Sequence, residues 1–428
     1  VIWTAPHSGP VEATVNIPGS KSLTNRYVVL AALGSDPVTL HHPLVARDTE
    51  LMAGALETLG ARIERDPESW TVHPGPIRGG EVECGLAGTV MRFIPPLAAF
   101  ANDPVRLDGD QAARVRPMDA IVGGLRELGV KVEASEHAGS PVLPITVHGT
   151  GTIEGGALQI DASASSQFVS ALLLAAPRMT RGLDLRHVGA SLPSQPHVDM
   201  TVRVLREAGI DIVAMPEESP NRWIVSPGTP QLPDVTIEPD LSNAGAFLAA
   251  AMVTGGQVSI PRWPSVTTQP GDSYREIFAA MGARITLEDG LLTVVGPDVI
   301  EPYNADMKDV GELVPTVAAV AAFAQGTSHL RNIGHLRGHE TNRLAALVAE
   351  LGKMGVEAWE DGDNLVIEGG GELRPAVIES YEDHRMATFG AILGLRLAGT
   401  EVVNVETTSK TLPGFAQMWE RAFGGGGV

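Results

Sequence analysis

Five times along the chain, apolar residues recur at helical spacing between an Asp or Asn and a Gly ten to thirteen residues further on: Asp48 to Gly60, Asp119 to Gly129, Asp199 to Gly209, Asp272 to Gly282 and Asn342 to Gly355. A polar cap at one end and a glycine just past the other predict one helix in each stretch. After each glycine the pattern changes to strict alternation, as in Val130-Lys131-Val132-Glu133 and Ala283-Arg284-Ile285-Thr286. A second short run follows each time: Trp70 to His73, Ile145 to His148, Trp223 to Val225, Leu292 to Val295 and Leu365 to Ile367. The change of period predicts helix, strand, hairpin, strand.

A second series interleaves with the first: Ser22–Leu33, Gly88–Ala101, Ser165–Ala176, Ser242–Thr254, Gly311–Ala324 and Arg385–Leu397. These stretches are apolar almost all round, which predicts helices at the centre of a core. The glycines of the first series recur at intervals of 69, 80, 73 and 73 residues, so 428 residues hold six such units. A sixth outer helix is placed at Phe415 to Phe423, ahead of the frayed glycine tail Gly424 to Gly427. The fold class is therefore α/β, with two lobes of three repeated units, each lobe built around a pseudo-threefold axis. The prolines at 227, 230 and 233 punctuate the middle of the chain, and a second crossing falls near Pro18-Gly19. One lobe then spans residues 17–234, and the other joins residues 1–16 to 235–428. Parallel core helices in each lobe point their positive dipole ends the same way, and a cleft between the lobes lined by such ends favours anions.

Composition narrows the chemistry. The chain is 43% hydrophobic and carries a formal charge of −20, which argues for an ordered protein and against general nucleic-acid affinity. Cys84 is the single cysteine, so neither a disulfide framework nor a cysteine zinc site is expected, in keeping with a reducing cytoplasm. No apolar run is long enough for a membrane span, and Val1 to Pro6 has no signal-peptide pattern. His335 and His339 are four apart without an H-E-x-x-H pattern, so no metal is expected.

In a chain this acidic, cations placed at helix starts stand out. Lys21 lies in Pro18-Gly19-Ser20-Lys21-Ser22-Leu23-Thr24-Asn25-Arg26; Val15 stands where a P-loop would need its first glycine, which rejects a Walker nucleotide site. What remains is a phosphate or carboxylate site on Lys21, Ser22 and Arg26, or a solvated helix start. Ser165-Ser166-Gln167 offers hydroxyls and N–H groups to a phosphate, or caps its helix. Ser194 is a turn serine or a ligand. Arg116, Arg343, Arg385 and Lys410 suit carboxylate or phosphate. Glu312 and Glu340 hold matching N-terminal positions, where either serves as a base, or Glu340 simply caps its helix.

Taken in order, Pro18-Gly19-Ser20-Lys21-Ser22, Asn25-Arg26, Ala87-Gly88-Thr89-Val90-Met91-Arg92, Arg116-Pro117, Ser165-Ser166-Gln167, His339-Glu340-Thr341-Asn342-Arg343, Asp383-His384-Arg385-Met386 and Ser409-Lys410-Thr411 resemble the 5-enolpyruvylshikimate-3-phosphate synthase family over nearly the whole chain. The resemblance implies an inside-out α/β barrel in each lobe. It also implies transfer of the enolpyruvyl group of phosphoenolpyruvate to shikimate 3-phosphate, in the pathway to the aromatic amino acids. On these positions, shikimate 3-phosphate would lie on Lys21, Ser22, Arg26, Ser165, Ser166, Gln167, Ser194, Glu312 and His339. Phosphoenolpyruvate would lie on Lys21, Gly88, Arg116, Gln167, Arg343, Arg385 and Lys410. Glu312 takes the place of the proton acceptor, Glu340 that of the proton donor, and Lys21 is shared and catalytic. No cofactor or metal is implied, the partners are the two small anions, and a cytoplasmic monomer that glyphosate inhibits is expected, since residue 88 is Gly. The chain departs from the family's usual residues at Leu86, Phe93, His197, His335 and His339.

Three rivals are open at this point. UDP-N-acetylglucosamine enolpyruvyl transferase usually carries a reactive cysteine near the third anchor, and Gln111 to Arg116 has none. RNA 3′-phosphate cyclase needs a nucleotide site and a catalytic His. A six-repeat ring around DNA needs basic helix faces, and here the basic residues sit at helix starts.

Overall fold

The structure, a computed structural model, describes residues 1–218 and 221–425. The chain divides into two units, Gly19–Ile237 and Val1–Pro18 with Glu238–Val428. Each has its own hydrophobic core.

Within the Gly19–Ile237 unit, three separate four-stranded sheets repeat one plan. Two parallel strands come first, for example Gly80–Glu83 beside Val105–Asp108, and an antiparallel hairpin follows, Lys131–His137 with Ser140–His148. A core helix links the two parallel strands, and an outer helix leads into the hairpin. The third sheet, from Gly156–Ile160 to Asn221–Val225, repeats this order. The first sheet lacks a preceding strand of its own. Val235–Thr236, at the far end of the unit, pairs parallel to Val38–His41 and fills that place.

The other unit is built on the same plan from a rearranged chain. Glu12–Thr14 pairs parallel to Gln257–Ile260 and opens one sheet, and Asn304–Asp306 beside Thr327–Arg331 opens the next. The last sheet has three strands: Val377–Glu379 and Glu401–Val403 run parallel, and Ile2–Thr4 closes it antiparallel where a hairpin would otherwise stand. The N-terminal segment thus supplies two strands to two sheets.

In both units one series of helices is buried at the centre and the sheets flank it. The helix Leu241–Thr254 is buried at every position, and it packs on Val314–Ala321 and His384–Gly394, which also pack on each other. Lys21–Leu33, Gly88–Ala98 and Gln167–Ala175 are the counterparts in the first unit. Nearly all-apolar sequences fit this place, because no face of such a helix meets water.

The outer helices end as expected. Gly60, Gly129, Gly209, Gly282 and Gly355 all have positive φ, the conformation glycine adopts without the steric cost a Cβ brings. Their starts differ from the expectation. Asn342 alone is a cap, its Oδ1 accepting from Ala345 N at 3.2 Å. Asp48, Asp119 and Asp272 lie inside the first turns, where a carboxylate still complements the dipole, and Asp199 lies further in, in the second turn of Gln195–Glu207. The core helix expected from Gly311 also starts later. Pro315 suits a first helical turn, so the α-helix begins at Val314, and Glu312 lies on the preceding 3-10 turn Lys308–Leu313. The helix Phe415–Phe423 is present as expected, with Gly424 as its C-terminal cap; Gly426 and Gly427 lie outside the described residues.

Candidate active site

In the Gly19–Ile237 unit the starts of the three core helices are tied together by polar contacts. Asn25 Nδ2 donates to Thr89 Oγ1 at 2.8 Å, joining the first helix to the second. Arg26 is buried, with Nε donating to Thr201 Oγ1 at 2.8 Å, Nη1 to the Ser22 carbonyl at 2.9 Å and Nη2 to the His197 carbonyl at 3.0 Å. Its guanidinium lies 5.4 Å from the ring centre of Phe93, so that family departure forms the apolar floor beneath Arg26. Thr201 Oγ1 donates in turn to Ser170 Oγ at 2.9 Å, and Ser170 stands on the helix that Ser165 and Ser166 precede. Ser194 caps the helix Gln195–Glu207 in a left-handed conformation, φ 55°, next to this network.

Lys21 opens the first core helix and donates to Asp48 Oδ2 at 3.2 Å. Gly88 opens the second, and a Cβ built there would stand 3.2 Å from Gln167 Oε1 and 3.4 Å from Arg116 Nη1. Lys21, Ser22 and Arg26 therefore form one group, and Gly88, Arg116 and Gln167 another. Arg116 Nε and Gln167 Oε1 are buried without a hydrogen-bond partner among the described residues. A water, an ion or a polar ligand can supply the bonds such atoms lack.

The second unit gathers the remaining candidates. Glu340 bridges two cations: Oε1 accepts from Lys410 Nζ at 2.8 Å and Oε2 from Arg343 Nη2 at 2.9 Å. Arg343 is buried and lies side-on to Asp383, with Nε donating to Oδ2 at 2.7 Å and Nη2 to Oδ1 at 3.1 Å. Burial works against the charge of Arg343, but Asp383 and Glu340 outweigh it and raise the guanidinium pKa above its ordinary value. Asp383 Oδ1 also accepts from the backbone N–H of Arg385, so one carboxylate sets both arginines. His339 Nδ1 stands 3.1 Å from Arg343 Nη1. Glu312 accepts from Ser242 Oγ at 2.8 Å, and Arg385 Nη1 donates to the Ser242 carbonyl at 2.9 Å. His335 is pushed below the ordinary histidine pKa, chiefly by burial and then by Arg343, so its ring is neutral at pH 7.

Residues that the sequence reading left out include Asp383, Asn25, Thr89, Thr201, Ser170, Asp48 and Ser242. Asp383 sat inside a recognised motif and reads there as the cap of the helix His384–Gly394, a role it also fills. Among the described residues there is no group of three or more His, Cys, Asp or Glu with metal-binding geometry, and no helix is long and apolar enough to cross a membrane. A cavity of about 480 Å³ is lined by Met252, Thr254, Phe323 and Arg396 near the C-terminal ends of core helices, and no candidate site residue lines it.

A family model described as EPSP synthase (3-phosphoshikimate 1-carboxyvinyltransferase) matches residues 6–419. The chain belongs to the EPSP synthase family. It is 52% identical to a 3-phosphoshikimate 1-carboxyvinyltransferase from Kocuria rhizophila, covering 100% of this chain and 97% of that protein. In fold it resembles EPSP synthase from Acinetobacter baumannii, with a TM-score of 0.81 at 24% identity over 99% of this chain and 98% of that one. It also resembles the enolpyruvyl transferase NikO from Streptomyces tendae, with a TM-score of 0.75 at 18% identity over 98% and 96% of the two chains.

Proposed function

We infer that the protein transfers the enolpyruvyl group of phosphoenolpyruvate to the 5-hydroxyl of shikimate 3-phosphate and releases phosphate. The family membership supports the reaction. The local observation that carries the reading is Glu340, locked between Arg343 and Lys410 with Arg343 anchored on Asp383.

The chemistry requires two opposite proton movements. The 5-hydroxyl loses its proton as its oxygen bonds to C2 of the enol, and the C3 methylene gains one. Phosphate then leaves C2, and C3 gives up a proton to restore the double bond. Glu312 accepts the hydroxyl proton and Glu340 delivers one to the methylene. Shikimate 3-phosphate is held by Lys21, Ser22, Arg26, Ser165, Ser166, Gln167, Ser194, Glu312 and His339. Phosphoenolpyruvate is held by Lys21, Gly88, Arg116, Gln167, Arg343, Arg385 and Lys410. Lys21 serves both anions. Fixing two anions in one geometry supplies much of the rate in a two-substrate reaction, and fixed cations stabilise the charge that develops. Action as a monomer is part of this proposal. The buried lone Cys84 fits a reducing cytoplasm.

The test is phosphate release from purified protein given both substrates. Release that depends on shikimate 3-phosphate is expected; a folded protein that releases none, or that releases phosphate with UDP-N-acetylglucosamine in its place, overturns the reading.

A further inference from the structure

A proton acceptor must present one oxygen in a fixed direction, and Glu312 has to do this from a 3-10 turn with a three-bond side chain of its own. The structure supplies a tether. Ser242 is buried on the first turn of Leu241–Thr254, and its Oγ donates to Glu312 Oε1 at 2.8 Å. The helix does not need this hydroxyl as a cap, because Asp240 Oδ1 already accepts from Asn243 N at 2.9 Å. The carbonyl oxygen of the same serine accepts from Arg385 Nη1 at 2.9 Å. One residue therefore grips the carboxylate by its side chain and the arginine by its backbone.

We propose that Ser242 is a positioning residue of the transfer reaction: its hydroxyl holds one oxygen of Glu312 so that the other faces the acceptor hydroxyl, while its carbonyl holds Arg385 in register with it. The proposal rests on the reading of Glu312 as the proton acceptor.

The hydroxyl also biases charge. A donor aimed at a carboxylate favours the ionised form, the form a proton acceptor needs. The other groups facing Glu312 are fixed in kind. Tyr274 is neutral, its pKa pushed up to about 12, chiefly by burial. His335 is neutral at pH 7 for the reasons given above, and Arg343 is charged. Asp272, on the neighbouring turn Pro270–Ser273, is turned to Trp263 Nε1 and Arg275. Asp240 caps its helix, and Lys308 and Asp309 share the turn with Glu312. Ser242 is thus a neutral donor among groups whose charge is already set, and losing it shifts the ionisation of Glu312 in one direction.

Three variants test this by steady-state kinetics across pH. Ser242→Ala is expected to lower kcat about tenfold or more. It also moves the acid limb of the kcat profile to higher pH. The KM for phosphoenolpyruvate changes less than about twofold, because a backbone carbonyl holds Arg385 in either case. Ser242→Thr restores the donor and recovers both kcat and the limb. Ser242→Cys keeps the size, weakens the donor and falls between the two, which also covers an alanine variant that fails to fold. Unchanged kcat and an unmoved acid limb in Ser242→Ala overturn the proposal, as does a rise in KM with no loss of kcat. Glu312→Gln separates the two readings. If it keeps full turnover, the role of Glu312 falls. If it is inactive while Ser242→Ala behaves as wild type, only the role of Ser242 falls.

Discussion

The carboxylate of Asp383 holds two arginines at once: it faces Arg343 side-on, with oxygen–nitrogen distances of 2.7 and 3.1 Å, and its Oδ1 takes the backbone N–H of Arg385 at 2.9 Å. Both side chains of the Arg343 pair are buried, so removing the carboxylate leaves a guanidinium in low dielectric with Glu340 as its remaining ion-pair partner. Asp383→Ala is expected to cost about 3–5 kcal/mol in chemical denaturation. Asp383→Asn, which keeps an oxygen for the cap but loses the charge, should cost less. Both variants should raise the KM for phosphoenolpyruvate, because the Arg343 side chain loses the carboxylate that fixes its direction. A fully stable Asp383→Ala enzyme with ordinary KM would show that the pair does neither.

Gly88 sets a second test. A Cβ there would meet Arg92 Nη1 at 3.1 Å, Gln167 Oε1 at 3.2 Å and Arg116 Nη1 at 3.4 Å. All three are the ends of flexible side chains that give by a few tenths of an ångström, so Gly88→Ala should fold normally. The displaced atoms include two groups assigned to phosphoenolpyruvate. Its KM should rise several-fold, by roughly the cost of a small misplacement, with a smaller change in kcat. Glyphosate, expected to bind beside this glycine, should inhibit the wild-type protein and lose potency against the variant. Equal inhibition of both would remove the inhibitor from this position.

How much of this was readable beforehand depends on whether a feature is local. The five C-terminal glycines, the hairpins and the buried core helices were legible, since each is encoded within a dozen neighbouring residues by periodicity or by φ preference. The strand Val235–Thr236 is two residues long and pairs with a strand nearly two hundred positions earlier, so no pattern announces it. Ile2–Thr4 closes a sheet whose other strands lie at the far end of the chain. The same holds at the site. The charged residues stand out in an acidic chain, but what orients them does not: Thr201 serves Arg26 across 175 positions, and Asp383 serves Arg343 across 40. A buried threonine or a capping aspartate looks the same in sequence whether or not an arginine reaches it. Glu312 was found but placed on the wrong element, because Pro315 delays the helix by three residues.

Cys84 gives a prediction in pH. Burial, with help from Glu83 and Asp108, pushes its thiol up to about 12 from an ordinary value of 9.0. The folded protein therefore keeps a proton that the unfolded chain has lost once pH passes 9, and stability falls as pH rises from about 9 to about 12. Cys84 alone adds a slope approaching about 1.4 kcal/mol per pH unit in that window. Denaturation of Cys84→Ala should show a shallower alkaline decline than wild type. At neutral pH the thiol should react with an alkylating reagent only as fast as the protein unfolds. Fast alkylation of the folded protein, or parallel slopes for the two proteins, would count against burial as the cause.

Lys21 separates chemistry from structure. Its ammonium lies 3.2 Å from Asp48 Oδ2, and the Asp48 side chain is only 2% exposed. Lys21→Met therefore removes both a proposed substrate contact and the cation beside a buried carboxylate, so a loss of stability in this variant does not by itself make Lys21 structural. The cycle with Asp48→Asn resolves the two effects. Asp48→Asn alone leaves the ammonium partly exposed to water and should be mild. Lys21→Met alone should abolish turnover and lower the melting temperature, because the carboxylate is left without that cation. In the double variant the buried charge is gone, so the melting temperature should recover most of the loss while turnover stays absent. The two changes are then strongly coupled in stability and uncoupled in activity. Recovered turnover in the double variant would make the ion pair, not the ammonium, the essential feature. A melting temperature that fails to recover would mean that Lys21 supports the start of the first core helix in some other way.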